Sequence, residues 1–121
     1  MRLWSSVALS AAICCVSTAA FAHARLTGSE PRDGAMLASS PATIMMHFSE
    51  GLEASFSHVE LLSQTGELVV TTGETIGGSE DRDLSAEPAQ PLQPGQYTVK
   101  WDVLSKDGHK TSGTWSFTVT P

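Results

Sequence analysis

Apolar and polar residues alternate along several short segments of the chain, a pattern typical of β-strands with one buried face. The clearest case runs from Tyr97 to Val103, where every second residue is apolar. Similar alternation predicts strands within residues 44–48, 58–62 and 115–119. A short apolar run at residues 68–70 is a candidate for a further, buried strand. No segment has the capped 3.6-residue apolar period of an amphipathic helix.

Turn-forming sequences separate these segments, and each combines glycine or proline with polar residues. They are Pro31-Arg32-Asp33-Gly34, Gln64-Thr65-Gly66, Gly77-Gly78 and Gln93-Pro94-Gly95. Residues 73–90 are rich in glycine, serine and acidic residues, which predicts a long exposed loop that could include one weak strand. Five to seven short strands in one domain predict an all-β fold, an antiparallel Greek-key sandwich or barrel of the immunoglobulin-like type.

The N-terminal segment has the features of a secretory signal peptide. Arg2 precedes an apolar run from Leu3 to Val16, and Ala20-Phe21-Ala22 forms a small-x-small cleavage site. The apolar run is too short to span about 30 Å of hydrocarbon, although an uncleaved anchor remains the alternative. We therefore expect residues 1–22 to be a signal peptide and residues 23–121 to form the single exported domain.

Cleavage after Ala22 changes the composition of the protein. Of 121 residues with a net charge of −6, the loss of 22, including Arg2, leaves 99 residues with a net charge of −7. Both cysteines, Cys14 and Cys15, lie in the removed segment, so the exported domain has neither a disulfide nor a cysteine metal site. The excess of acidic residues argues against nucleic-acid binding, which needs a basic surface.

Two sequence elements contain metal-ligating residues. Cleavage would make His23 the first residue, and its free α-amine and imidazole Nδ1 could then chelate one ion, since a metal can displace the amine proton near neutral pH. Asp107-Gly108-His109 lies between the two strongest predicted strands, where Gly108 allows both side chains to face one centre. Nitrogen and oxygen ligands in a tetragonal arrangement suit Cu(II), whereas zinc prefers a tetrahedral one. Asp-Gly is also a common hairpin turn, and spacing alone leaves open whether the two elements meet.

The chain resembles the CopC-type periplasmic copper-binding proteins, which are copper resistance proteins, over essentially all of residues 23–121. The matching segments are His23-Ala24-Arg25-Leu26, Phe48-Ser49-Glu50-Gly51-Leu52, Pro94-Gly95-Gln96-Tyr97-Thr98-Val99-Lys100-Trp101 and Val103-Leu104-Ser105-Lys106-Asp107-Gly108-His109-Lys110-Thr111-Ser112-Gly113. The combination of an N-terminal histidine with the Ser-x-Asp-Gly-His loop is more specific than either motif alone.

The resemblance implies a seven-stranded Greek-key β-barrel or sandwich in the periplasm. It implies one Cu(II) per mature chain, bound by the amine and imidazole of His23, the carboxylate of Asp107 and the imidazole of His109. We expect a monomer, although the sequence does not fix the oligomeric state. Glu50 matches a family position near the copper, where a carboxylate could orient a ligand or hold a water; the alternative is a solvated glutamate at a strand end. The implied role is that of a copper carrier or buffer in homeostasis or resistance, with an inner-membrane copper transport protein of the CopD type as partner.

The chain differs from some family members in its methionines. Those members have a methionine-rich loop that binds Cu(I), whereas residues 63–89 contain neither Met nor His, so we expect no such site. Strand alternation predicts that Met46 lies in the core. His47 and His58 fall on outward faces of predicted neighbouring strands, where they could form an accessory site with Met45, or could be two unrelated exposed histidines.

Two other functions compete with copper carriage. An N-terminal histidine with a second histidine also forms the copper site of oxidative enzymes of the histidine-brace type. Asp107 would occupy the fourth equatorial position and so disfavour oxygen activation, and we assign no catalytic residue. The other alternative is an immunoglobulin-like adhesion or assembly module without metal.

Overall fold

The computed structural model describes residues 23–121, so the predicted signal peptide at residues 1–22 lies outside the described residues. Within that range the chain forms β-strands and two short 3-10 helices, Ala54–Phe56 and Ser79–Asp81. The strands are β1 (Leu26–Glu30), β2 (Ala35–Leu37), β3 (Ile44–Phe48), β4 (His58–Leu62), β5 (Leu68–Val69), β6 (Thr75–Gly77), β7 (Asp83–Ala86), β8 (Gly95–Leu104) and β9 (Lys110–Val119).

The strands form two sheets that enclose one core. The first sheet has the order β1-β3-β7-β6 and the second has the order β2-β9-β8-β4-β5. Every strand pair is antiparallel except β2 with β9, which is parallel. The predicted all-β sandwich is therefore confirmed. The strand number exceeds the prediction because β2 and β6 have only three residues each, too few to show alternation in the sequence.

The core lies where the predicted alternating segments face one another. Met46 and Val99 are fully buried, which confirms the inward positions predicted for β3 and β8. The Phe48 ring of the first sheet contacts the Trp101 ring of the second edge to face, with centroids 5.1 Å apart. Each large apolar side chain buried in this way contributes about 1.5–3 kcal/mol to folding.

Two predicted segments differ from the structure. Residues 73–90 are not a long loop, because they contain β6 and β7, and β7 is hydrogen-bonded to both β3 and β6 with Leu84 fully buried. The run at 68–70 is not a buried strand: Leu68 is 66% and Val70 72% exposed. β5 is a two-residue strand at the edge of its sheet. Only Val69, between Leu68 and Val70, points towards the core.

The hairpin formed by β8 and β9 is the longest element and supports the predicted metal-binding loop. Its ten paired positions run from Gly95 opposite Val119 to Leu104 opposite Lys110, so the loop is carried at one end of the sandwich. Gly113 is required here, because a Cβ atom at this position would lie 2.6 Å from the Trp101 ring. No helix within residues 23–121 has the length and apolar character needed to cross a membrane.

Candidate metal centre

The N-terminal end of the described chain reaches the loop between β8 and β9. The His23 and His109 rings meet edge to face, with centroids 4.6 Å apart and an interplanar angle of 87°. Two imidazoles from opposite ends of the domain, both predicted as ligands from the sequence, therefore lie in contact. Metal–nitrogen distances are about 2.0–2.1 Å, so two rings this close can bind one ion after small side-chain rotations.

Hydrogen bonds fix the segment that carries His23. The Arg25 N–H donates to Ser49 Oγ at 2.9 Å, and the Ser49 N–H donates to the Arg25 carbonyl at 2.9 Å. The Ser49 hydroxyl in turn lies 3.3 Å from the His23 carbonyl. On the other side, the Thr111 hydroxyl donates to the carbonyl of Ala24 at 2.8 Å, and Ala24 is buried. The segment is thus held between the end of β3 and the start of β9.

The loop that carries His109 is organised around Ser105, which is 1% exposed. The Ser105 N–H donates to the His109 carbonyl at 3.0 Å, and the Gly108 N–H donates to the Ser105 carbonyl at 2.9 Å. Gly108 has a φ of 89°, in the left-handed region that favours glycine. The Ser105 hydroxyl donates to Asp107 Oδ1. Ser105 therefore closes the tight turn and also orients the predicted carboxylate ligand.

Asp107 lies against the imidazole of His109, with 3.2 Å between Asp107 Oδ1 and His109 Nδ1. The hydrogen bond from Ser105 lowers the pKa of Asp107; desolvation opposes this effect, and His109 adds to the lowering. The carboxylate is consequently ionised at neutral pH, as a metal ligand must be. Both side chains are about 40% exposed, so an ion has access to them from solvent.

The ligand atoms are close together but do not yet surround one point. In the part of the chain that the structure describes, no three His, Asp or Glu side chains form a ready-made metal cluster. The two imidazoles are in contact and Asp107 contacts one of them, so the arrangement brings nitrogen and oxygen donors of the type that Cu(II) prefers into one region. The three-residue ligand set stays a prediction.

Glu50 lies in the segment beside this loop and is half-buried. The carbonyl of Gly51 accepts a hydrogen bond from the Lys106 N–H at 2.9 Å, and Leu52 forms a β-bridge with Ser105. The backbone around Glu50 is therefore tied both to the candidate metal-binding loop and, through Ser49, to the His23 segment. This position is compatible with a supporting role for Glu50, which also stays a prediction.

The possible accessory site formed by His47 and His58 is excluded by the topology. His47 is in β3 of the first sheet, whereas His58 is in β4 of the second, because the chain crosses between the sheets after β3. His47 instead contacts Asp83, and His58 contacts Glu74. We expected these two strands to pair in one sheet because they are adjacent in the sequence. In a sandwich, adjacent strands can lie in different sheets.

Sequence reasoning missed the serine and threonine residues that support the site. Ser49 and Thr111 hold the N-terminal segment, and Ser105 orders the loop. Only Ser105 had a sequence signal, since it stands two residues before Asp107 in the Ser-x-Asp-Gly-His motif. Isolated hydroxyl residues such as the other two have no pattern that separates them from ordinary surface positions.

Comparison with known proteins adds independent evidence of relationship. The family model of the CopC domain matches residues 26–120. The chain is 36% identical over 104 residues to Protein YobA of Escherichia coli K12, covering 86% of this chain and 84% of that protein. It is 35% identical over 120 residues to copper resistance protein C of Pseudomonas syringae pv. tomato, covering 95% and 94% of the two chains.

A solved structure agrees in fold as well as in sequence. The crystal structure of CopC from Methylosinus trichosporium OB3b superposes with a TM-score of 0.76 at 35% identity, over 82% of this chain and 95% of that one. Residues 26–120, which the family model matches, include both sheets and the hairpin that carries the candidate metal-binding loop. On the evidence of the fold, the family model and these relatives, the chain belongs to the CopC family.

Proposed function

We propose that this protein is a periplasmic copper carrier or buffer that binds one Cu(II) per mature chain and acts in copper homeostasis or resistance. The observation that carries the proposal is the contact between His23 and His109 at 4.6 Å, in a chain of the CopC family. The relative from Pseudomonas syringae is named copper resistance protein C, which is consistent with this role.

The proposed site consists of the His23 amine and imidazole, the Asp107 carboxylate and the His109 imidazole. In the 121-residue chain the nitrogen of His23 is an amide, which cannot act as an amine ligand. Cleavage after Ala22 would convert it into a free amine, so removal of the signal peptide would both release the protein and complete the site. Three nitrogens and one carboxylate oxygen match the tetragonal preference of Cu(II).

The remaining residues of the site have supporting roles. Ser105 holds Asp107 in its ionised form next to His109, and we assign Glu50 to orienting a ligand or a bound water. Copper would compete with protons for the amine and both imidazoles, so Cu(II) affinity should fall as the pH decreases. Copper is cargo in this proposal, to be passed to an inner-membrane copper transport protein of the CopD type.

The experiment begins with exported protein whose intact mass corresponds to His23–Pro121. Titration with Cu(II) should saturate at one equivalent and give a nitrogen-rich tetragonal electron paramagnetic resonance spectrum. A mass that places the N-terminus elsewhere would contradict the proposal, as would a spectrum without nitrogen ligands. Oxygen- or peroxide-driven cleavage of a polysaccharide by the copper-loaded protein would favour the histidine-brace enzyme instead.

A further inference from the structure

The outer face of the first sheet carries a histidine between two carboxylates from the neighbouring strands. His47, in β3, has its Nδ1 atom 2.8 Å from Asp83 Oδ1 of β7. Its Nε2 atom lies 3.7 Å from Glu30 Oε1 of β1. Since β3 is hydrogen-bonded to both β1 and β7, strand register brings these three side chains together.

The contact with Asp83 determines which nitrogen of the neutral ring can bind a cation. A carboxylate at 2.8 Å from Nδ1 accepts its hydrogen, so the lone pair of the neutral ring is on Nε2. Metal-binding histidines commonly donate the other ring N–H to a carboxylate, which fixes the ring and increases its basicity. His47 therefore has the hydrogen-bonding arrangement of a metal ligand, and its Nε2 atom faces a second carboxylate.

The distance between Nε2 and the Glu30 carboxylate fits one shared ion. Ligand atoms that each lie about 2.0–2.2 Å from a zinc ion are separated by less than about 4.4 Å. The observed 3.7 Å is within this limit, and the Glu30 side chain is 77% exposed and can adjust. Asp83 contacts Nδ1, on the other side of the ring from an ion at Nε2, so it does not bind the same ion. This is consistent with the absence of a three-residue cluster in the described range 23–121.

The surroundings leave room for an ion with water ligands. His47 and Glu30 border a recess of about 520 Å³ that is open to solvent. Asp33 and Arg32 also border the recess, and Asp33 accepts a hydrogen bond from the Ser116 N–H at 3.1 Å. Counting Asp83, the ionised groups are three carboxylates and one guanidinium, so the local charge favours a cation.

We propose that His47 Nε2 and Glu30 form a second, weaker metal site for a divalent transition-metal ion such as Zn(II), with Asp83 orienting the imidazole and water completing the coordination. This site is on the side of the first sheet rather than at the end of the sandwich. It uses none of His23, Asp107 and His109, and it does not depend on cleavage. Its test is therefore independent of the proposed copper site.

His58 provides a matched control within the same chain. It is also an outward-facing strand histidine with a glutamate nearby, Glu74 Oε1 lying 3.8 Å from its Nδ1 atom. The same Glu74 oxygen lies 3.4 Å from the Val59 backbone nitrogen, at the limit of a hydrogen bond. The contacts around His58 thus include one distant carboxylate on Nδ1, whereas His47 has a close carboxylate on Nδ1 and a second carboxylate beside Nε2.

The experiment titrates Zn(II) into the mature protein carrying His109→Ala, which removes an imidazole of the proposed copper site, and follows the imidazole nitrogens by NMR. We expect Zn(II) to shift Nε2 of His47 at lower concentrations than any nitrogen of His58. His47→Ala should abolish this binding event, Glu30→Gln should weaken it at least fivefold, and Asp83→Asn should weaken it about tenfold or more, as expected for the carboxylate partner of a metal-binding histidine.

His58→Ala is the control and should leave the His47 titration unchanged. Equal shifts of His47 and His58, or Zn(II) binding that Glu30→Gln leaves unaltered, would overturn the proposal. The side chains of His47, Glu30 and Asp83 are all at least partly exposed. The Glu30→Gln variant retains both His47 and Asp83, so it tests the site even if another variant folds poorly. Failure of Cu(II) to bind at His23 would leave this result unaffected.

Discussion

The two histidine regions of the molecule are built in different ways. At the end of the sandwich, His23 and His109 come from opposite ends of the domain and are held in contact by backbone hydrogen bonds of the segments that carry them. On the side of the first sheet, His47 is placed beside Glu30 and Asp83 by the register of neighbouring strands.

This difference separates a proposed site that would depend on processing from one that would not. In our proposal, the first region would gain its amine ligand only when the chain is cut before His23, and it brings imidazoles from two segments into contact. The second has one nitrogen and carboxylates, and the folded sheet is sufficient to form it. We therefore expect strong copper binding in the first region and weak binding in the second.

The largest expected effect comes from removing an imidazole of the first region. His109→Ala should weaken Cu(II) binding by at least about 100-fold, because a nitrogen ligand and its orienting contact with Asp107 are both lost. Competition titration against a copper chelator of known affinity measures this change. His58→Ala, which alters a histidine outside both regions, should leave the first equivalent unchanged; equal losses in the two variants would show that the effect is not specific to the first region.

The next effect concerns the loop serine. Ser105→Ala removes the hydroxyl that binds Asp107 Oδ1, so Cu(II) affinity should fall by about 10- to 100-fold, as for other residues that orient a metal ligand. Raising the pH from 5 to 7 should not restore the wild-type affinity if positioning, rather than the Asp107 charge, is the main contribution. Ser112→Ala, an exposed position on the same hairpin, is the control. Wild-type affinity in Ser105→Ala would show that Asp107 needs no such support.

A smaller effect is expected at the anchor of the N-terminal segment. Thr111→Val removes the hydrogen bond to the Ala24 carbonyl at 2.8 Å while keeping the side-chain shape. A hydrogen bond of this kind contributes about 1 kcal/mol, so Cu(II) affinity should fall about fivefold. Thr114→Val, on an exposed position of β9, should have no effect on affinity. Equal affinities for the two variants would contradict the anchoring role of Thr111.

The smallest expected effect is the pH dependence of the free energy of unfolding that His47 and Asp83 contribute in the second region. The hydrogen bond to Asp83 raises the pKa of His47, partly opposed by desolvation, with Glu30 adding to the increase. Because the pKa of His47 is higher in the folded state, the His47–Asp83 pair contributes its full stabilisation below the histidine pKa of the unfolded chain, about 6.5. This stabilisation is lost as the pH rises through the pKa of His47 in the folded state.

Denaturant unfolding of the metal-free protein at pH 5.5 and 8.5 measures this contribution. The stability difference between wild type and His47→Gln should be larger at pH 5.5, by a few tenths of a kcal/mol, since His47 is 38% exposed and the pair is screened by solvent. His58→Gln serves as the comparison. A difference that increases towards pH 8.5 would contradict the assigned direction of the His47 pKa.

The long strands could be predicted from the sequence because their alternation is regular. In β8 the alternate residues Tyr97, Val99, Trp101 and Val103 are buried as the pattern requires, and so is Met46 in β3. The strand β7 was missed because Leu84 and Ala86 are its only buried positions and the surrounding residues are acidic or small. Its place between β3 and β6 depends on tertiary pairing, which local composition does not reveal.

The candidate ligands could be named from the sequence, but their arrangement could not. The motif around Asp107 and the position of His23 after a predicted cleavage site identified them as candidates, whereas their proximity depends on the hydrogen bonds of Ser49 and Thr111. The suggested pairing of His47 with His58 failed for a related reason. β3 and β4 follow one another in the chain but lie in opposite sheets, so sequence order was a poor guide to contact between these two strands.

The most direct test of the copper proposal adds one alanine before His23 in the otherwise unchanged mature protein. This change keeps every side chain and converts the His23 amine into an amide. We predict that Cu(II) affinity, measured by chelator competition, falls by at least about 100-fold and that the resonance spectrum changes, because the two-nitrogen chelate of His23 is lost. Unchanged affinity and an unchanged spectrum would show that the N-terminal amine does not bind the metal.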